Sequence, residues 1–164
     1  TIMVGGPAPA FERAGPLFRL LGPTVVHLGE NGAGQTTKAC HQLALLVTAQ
    51  GIAEALVLAG RCGLDVERVR QVMMGGVASS RVLELFGARM ASRDFEAGIE
   101  ARLYHKDLDI ALNLAHARGA ALPAAALTMQ HVNALIARER GRDDLSALIT
   151  VVEGLSGLDD DGHS

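Results

Sequence analysis

Residues Ala39 to Gly60 read ACHQLALLVTAQGIAEALVLAG, and the fold turns on how this run is understood. At about 1.5 Å per residue it is long enough to cross a bilayer, yet it carries His41, Gln42, Gln50 and Glu54. Four polar groups are costly in hydrocarbon, so the run reads as a buried central helix and no membrane is expected as a partner. Being apolar on nearly every side, it needs other helices around it. It should start near Gln35, after the glycine-rich turn Gly29 to Gly34, and run to about Arg61, with Gly63 closing it.

The segments on either side repeat the helical pattern. Pro7 to Leu21 places Phe11, Ala14, Leu17, Phe18 and Leu21 at helical spacing, with Gly22-Pro23 as a stop. Asp65 caps a short helix through Met74, and Ser79 or Ser80 starts another through Met90. Glu100 to Arg118 puts Leu103, Leu108, Leu112 and Ala115 on an inner face. Pro123 opens a helix to about Arg140, and Asp143 or Asp144 opens a last one ending near Gly154. Two short segments are extended, TIMVGG at the start and Thr24 to Leu28. A lone strand does not stand in water, so TIMVGG is read as the last strand of an upstream domain. The expectation is an all-α multi-helix bundle around a long central helix, with a short N-terminal strand left over from an absent Rossmann domain. Residues 1–6 are the strand remnant, 7–158 the helical domain, and 159–164 a frayed acidic tail.

Composition agrees with one domain. The chain has 164 residues, only 3% of them aromatic and 49% hydrophobic, with a net charge of -3; this balance favours helices over sheets. Such a charge provides no broad basic surface for a phosphate backbone, which excludes nucleic acid. Cys40 and Cys62 fall inside helical patterns and read as core thiols of a reducing, cytoplasmic protein. The histidines at 27, 41, 105, 116, 131 and 163 lack metal-ligand spacing, so no metal site is expected.

The cations carry more information. Thirteen of the fifteen Lys and Arg residues are arginine, and the exceptions are Lys38 and Lys106. A chain that writes arginine by habit retains lysine where a compact ammonium or a departing proton is needed. Lys38 lies in the first turns of the central helix, where the positive helix end and an apolar surround would both lower its pKa towards general-acid range. Free N–H groups near Gly34 would hold an anion, and Gln42, one turn beyond Lys38, would reach the same ligand. GENGAGQTTK lacks the Gly-Lys-Ser/Thr of a phosphate loop, and GAGQTT lacks the third glycine of a dinucleotide fingerprint. No cofactor-binding core is expected from it.

Along the chain TIMVGG, GENGAGQTTKACHQ, GGVASSRVLE, HKDLDIAL and GRDDLSAL follow in order. In this ordered series the chain resembles the C-terminal helical half of the β-hydroxyacid dehydrogenase family. The resemblance implies an NAD- or NADP-dependent reductase of a small semialdehyde, with the cofactor bound mainly by the absent N-terminal domain and the isolated chain inactive. It implies Lys38 as the proton donor, Gln42 and Gly34 at the substrate, and Lys106 at the cofactor. It implies conversion of tartronate semialdehyde to glycerate, with a 3-hydroxyisobutyrate-type activity as the alternative, and assembly into a homodimer or tetramer. His41 stands where such proteins carry asparagine and is expected to face away and pack. From the residues alone, a non-catalytic helical dimerisation module stays open.

Overall fold

A computed structural model of the chain describes residues 1–158; the expected tail at 159–164 lies outside them. Strand β1 (Ile2–Val4) leads into helix α1 (Ala8–Leu21), and the chain returns through β2 (Val25–His27) before the long helix α2 (Ala33–Arg61). Helix α3 (Val66–Met74) follows, then a π-helical segment Leu83–Gly87 continuing into α4 (Ala88–Ser92). Helices α5 (Arg102–Arg118) and α6 (Pro123–Ala137) come next, and a 3₁₀ turn at Leu145–Ala147 opens α7 (Leu148–Leu155).

The expectation of an all-α fold is wrong. β1 and β2 pair in parallel, with Ile2 opposite Val25, Met3 opposite Val26 and Val4 opposite His27. The partner of TIMVGG is the second extended segment, and α1 is the connection that parallel strands require. Among the described residues the architecture is α/β, with a small parallel sheet against the start of α2 and helices packed around the rest of it. The helix expected over Pro7 to Leu21 forms at Ala8–Leu21 with Pro7 at its N-cap, but its expected inner face is only partly covered. Phe11 and Phe18 stack at 5.9 Å and Phe11 stacks on His27 at 4.7 Å, while Leu17 and Leu21 stay exposed.

α2 meets the length and composition of a membrane span, and the fold shows what covers it. Leu46, Ala49 and Ala53 are wholly buried in two apolar clusters. One draws on α5, α6 and α7 through Leu108, Leu135 and Leu148; the other joins Leu56 to Leu83, Met90 and Ile149. Asp65 caps α3 as expected, its carboxylate accepting from Arg68 N–H at 3.1 Å. Ser80 Oγ accepts from Leu83 N–H at 3.0 Å, and Asp144 accepts from Ser146 N–H at 3.0 Å. Leu103, placed by pattern on the inner face of α5, is exposed, because the buried stripe runs through Tyr104, Leu108, Ala111 and Ala115 instead. Cys40 and Cys62 are both exposed and are not core thiols.

Candidate active site

The site begins where β1 meets the first turn of α2. Gly32 sits at φ 93°, a left-handed conformation that favours glycine and turns the chain into the helix. Gly34 is buried against the strand so closely that a Cβ there would lie 2.5 Å from the Met3 carbonyl oxygen. A Cβ on Gly5 would lie 2.6 Å from the Glu30 carbonyl oxygen. Two glycines thus let backbone press on backbone. The floor is tied down by Gly6 N–H donating to Gly29 at 2.8 Å and Leu28 N–H donating to Val4 at 2.8 Å. His27 Nε2 meets the Gly6 carbonyl at 2.7 Å.

One turn further along α2, Lys38 opens onto a cavity of about 800 Å³ bordered by Met3, Gly34, Gln35, His41 and Gln42. A second space of about 230 Å³ lies on the α5 side of the same helix, where Lys38 and Gln42 face Lys106, Asp107 and Ile110. The structure therefore brings Gly34, Lys38 and Gln42 of α2 and Lys106 of α5 to one region from two separate helices. It also revises their surroundings. Lys38 is exposed, without the apolar surround expected of it, and holds no hydrogen bond or ion pair among the described residues. Gly34 borders the cavity, and its absent side chain is what the contact with Met3 demands. His41 is exposed and lines the larger cavity beside Lys38 and Gln42, so it neither faces away nor packs.

Asp107 joins these residues. It is buried, accepting from Gln42 Nε2 at 2.7 Å on Oδ2 and from Lys106 Nζ at 2.6 Å on Oδ1. Burial alone would push its carboxyl up. The hydrogen bonds from Lys106 and Gln42, with the charges of Lys106 and Lys38, outweigh that and hold it below the usual carboxylate range. Sequence reasoning passed over Asp107, although a signal existed: it shares the buried stripe of α5 with Tyr104, Leu108 and Ala111, and a carboxylate there needs partners. Lys38 is left as the ammonium with free donors, beside an open cavity and a carboxylate already satisfied. This arrangement suits an anionic, carbonyl-bearing small molecule that is to receive a proton. The two lysines also suit a phosphate-bearing cofactor on the same face, since the ammonium of Lys106 belongs to a side chain 65% exposed.

Comparison with known proteins places this α/β scaffold among the NAD(P)-dependent oxidoreductases. Residues 32–152 match the family described as NAD-binding of NADP-dependent 3-hydroxyisobutyrate dehydrogenase. The chain belongs to the 3-hydroxyisobutyrate dehydrogenase-like family of NAD(P)-dependent hydroxyacid dehydrogenases. It is 42% identical over 153 residues to the 2-hydroxy-3-oxopropionate reductase of Escherichia coli K12, covering 93% of this chain and 52% of that protein. Its fold is similar to a 3-hydroxyisobutyrate dehydrogenase from Mycobacterium tuberculosis solved with L-serine, at 30% identity and TM-score 0.83 over 92% of this chain and 54% of that one. A 3-hydroxyisobutyrate dehydrogenase from Salmonella typhimurium superposes with TM-score 0.84 at 27% identity, over 91% and 53%. The chain spans about half the length of these relatives. The family match overturns the expectation that no cofactor-binding core is encoded and that the NAD-binding domain is absent: the NAD-binding region so described lies at residues 32–152. The glycine fingerprints sought in GENGAGQTTK were the wrong signature to look for.

Proposed function

We propose that the chain serves an NAD(P)-dependent reductase converting tartronate semialdehyde, 2-hydroxy-3-oxopropionate, reversibly to glycerate. One observation carries the reading: Lys38, which makes no hydrogen bond or ion pair among the described residues, faces a cavity of about 800 Å³ with Gln42 one helical turn away. Similarity to the E. coli reductase over 93% of the chain supports the choice of substrate. A reduced nicotinamide, when bound, supplies hydride to the carbonyl carbon. Lys38 Nζ holds the aldehyde oxygen by a hydrogen bond and gives it a proton as negative charge develops there, producing the hydroxyl. The neutral amine left behind regains its proton from water, which reaches it because the side chain is exposed. Gln42 orients the substrate, and Lys106 takes the phosphate side of the cofactor.

The fold similarity to 3-hydroxyisobutyrate dehydrogenases favours a second reading, a methyl-bearing semialdehyde as substrate. Steady-state oxidation of NADH and NADPH by the polypeptide that contains this chain separates the two, with tartronate semialdehyde and methylmalonate semialdehyde in competition. A kcat/KM at least tenfold higher for tartronate semialdehyde is expected. Preference for methylmalonate semialdehyde selects the second reading, and turnover of neither refutes both.

A further inference from the structure

The two oxygens of Asp107 are separately engaged, Oδ1 by the Lys106 ammonium at 2.6 Å and Oδ2 by Gln42 Nε2 at 2.7 Å. Held ionised by those partners, the carboxylate has no proton to offer and can only accept. A glutamine side chain is nearly symmetric in shape, so its orientation is set by the bonds it makes. Opposite an acceptor, Gln42 must present its NH₂ group. Its carbonyl oxygen is then turned away from Asp107. Asp107 borders only the smaller space, whereas Gln42 also borders the larger cavity, beside Lys38 and His41.

We propose that Asp107 is a positioning residue: by fixing the orientation of the Gln42 amide it makes Gln42 Oε1 an acceptor aimed into the larger cavity, and so selects ligands with a hydroxyl beside the carboxylate over those with a methyl there. The inference rests on the proposed reading for which cavity takes the substrate, and it adds the group that reads the substituent. With the amide reversed, the cavity would meet two N–H donors, and the hydroxyl would lose its acceptor. A methyl group placed against Oε1 leaves that oxygen dehydrated and unpaired, which is the usual source of discrimination at a polar site.

Hydroxymalonate and methylmalonate test this without turnover, since both are stable dicarboxylates of nearly equal shape that differ in OH against CH₃. Titrated by calorimetry or NMR into the polypeptide that contains this chain, hydroxymalonate is expected to bind about tenfold tighter, the worth of one well-placed hydrogen bond. Asp107→Asn offers both a donor and an acceptor to Gln42, frees the orientation, and should reduce the preference to within about twofold. Gln42→Ala should do the same while leaving the Asp107–Lys106 pair in place, and the double variant should lose no more than either single one. A merely structural role for Asp107 would weaken both ligands alike and leave the ratio unchanged. Equal binding of the two ligands, binding of neither, or a preference that survives Gln42→Ala overturns the inference, and the last decides even if Asp107→Asn does not fold. Turnover of tartronate semialdehyde is read on the same preparation. Preference without turnover keeps this inference and removes the reaction, and turnover without preference does the reverse.

Discussion

Replacing Gly34 by alanine should do more harm than any other single-methyl change on α2, and the size of the effect follows from geometry. The new Cβ would stand 2.5 Å from the Met3 carbonyl oxygen and 3.1 Å from Gly5 N, where ordinary contact begins at 3.4 Å. Both neighbours are backbone, so no side chain can swing aside, and the strand must withdraw by about 0.9 Å. That movement stretches the 2.8 Å bonds joining Ile2 to Thr24 and Leu28 to Val4. Overpacking costs about 1–3 kcal/mol and a weakened ladder bond about 1, offset by about 1 from alanine's better helix propensity. The net loss is about 1–3 kcal/mol, which lowers Tm by roughly 2–12 °C for a chain of this size. Gly51 on the same helix supplies the control: it is exposed and nothing lies within 4 Å of its would-be Cβ, so Gly51→Ala should raise stability by about 0.5–1 kcal/mol. Thermal unfolding followed by circular dichroism reads both. A Gly34→Ala protein that melts within a degree of the parent would refute the close approach of β1 to α2.

Other consequences lie further from the sheet. Asp144 is buried, pairs with Arg89 at 3.0 Å, and accepts from Ser146 N–H at 3.0 Å and Ser146 Oγ at 2.7 Å; Arg89 keeps its pair with Asp94 at 3.2 Å in Asp144→Ala, so the loss falls on the Ser146 bonds and should cost about 1–3 kcal/mol in urea unfolding. Asp107 has its carboxyl lowered in the folded chain, so its stabilising share is complete above the unfolded carboxylate pKa of about 4. That share is lost as pH falls through the lowered folded value. The stability difference between parent and Asp107→Asn, measured from pH 7 downwards, should therefore stay level to about pH 5 and shrink below about pH 4. Hydrogen bonds from Arg70 and Gln71 bring Glu67 down to about 2, but its side chain is 43% exposed. Glu67→Gln should change stability by less than about 1 kcal/mol, as exposed ion pairs do.

Periodicity made α2, α5, α6 and α7 legible because each buries apolar residues along its length, and Asp65, Ser80, Pro123 and Asp144 gave start signals. The sheet was not legible as a sheet. Each strand is three residues long, and pairing between Ile2 and Val25 depends on how α1 folds back, which no local pattern records. Helix ends drifted by up to about three residues for the same reason that caps are weak: α6 stops at Ala137, before the Arg140 at which its pattern was expected to end. Within the site, the scarcity of lysine singled out Lys38 and Lys106, and helical spacing joined Gln42 to Lys38. Asp107 escaped because its importance lies in what faces it, Gln42, sixty-five residues away. The reading of Cys40 and His41 as packed side chains failed on one cause. α2 is apolar nearly all round but is covered unevenly by its neighbours, so an apolar environment in sequence did not mean burial at each position.

Lys38 bears the central claim, and Lys38→Arg tests it more sharply than alanine does. Arginine keeps the positive charge beside the cavity but does not release its proton near neutral pH. With NADH or NADPH and tartronate semialdehyde, the polypeptide containing this chain should lose about 10² to 10⁴-fold in kcat on Lys38→Arg, the range for removing a general acid, while KM moves by a few-fold at most. A variant that retains kcat within about threefold would show that Lys38 contributes charge alone, and the proposed proton transfer would have to be abandoned.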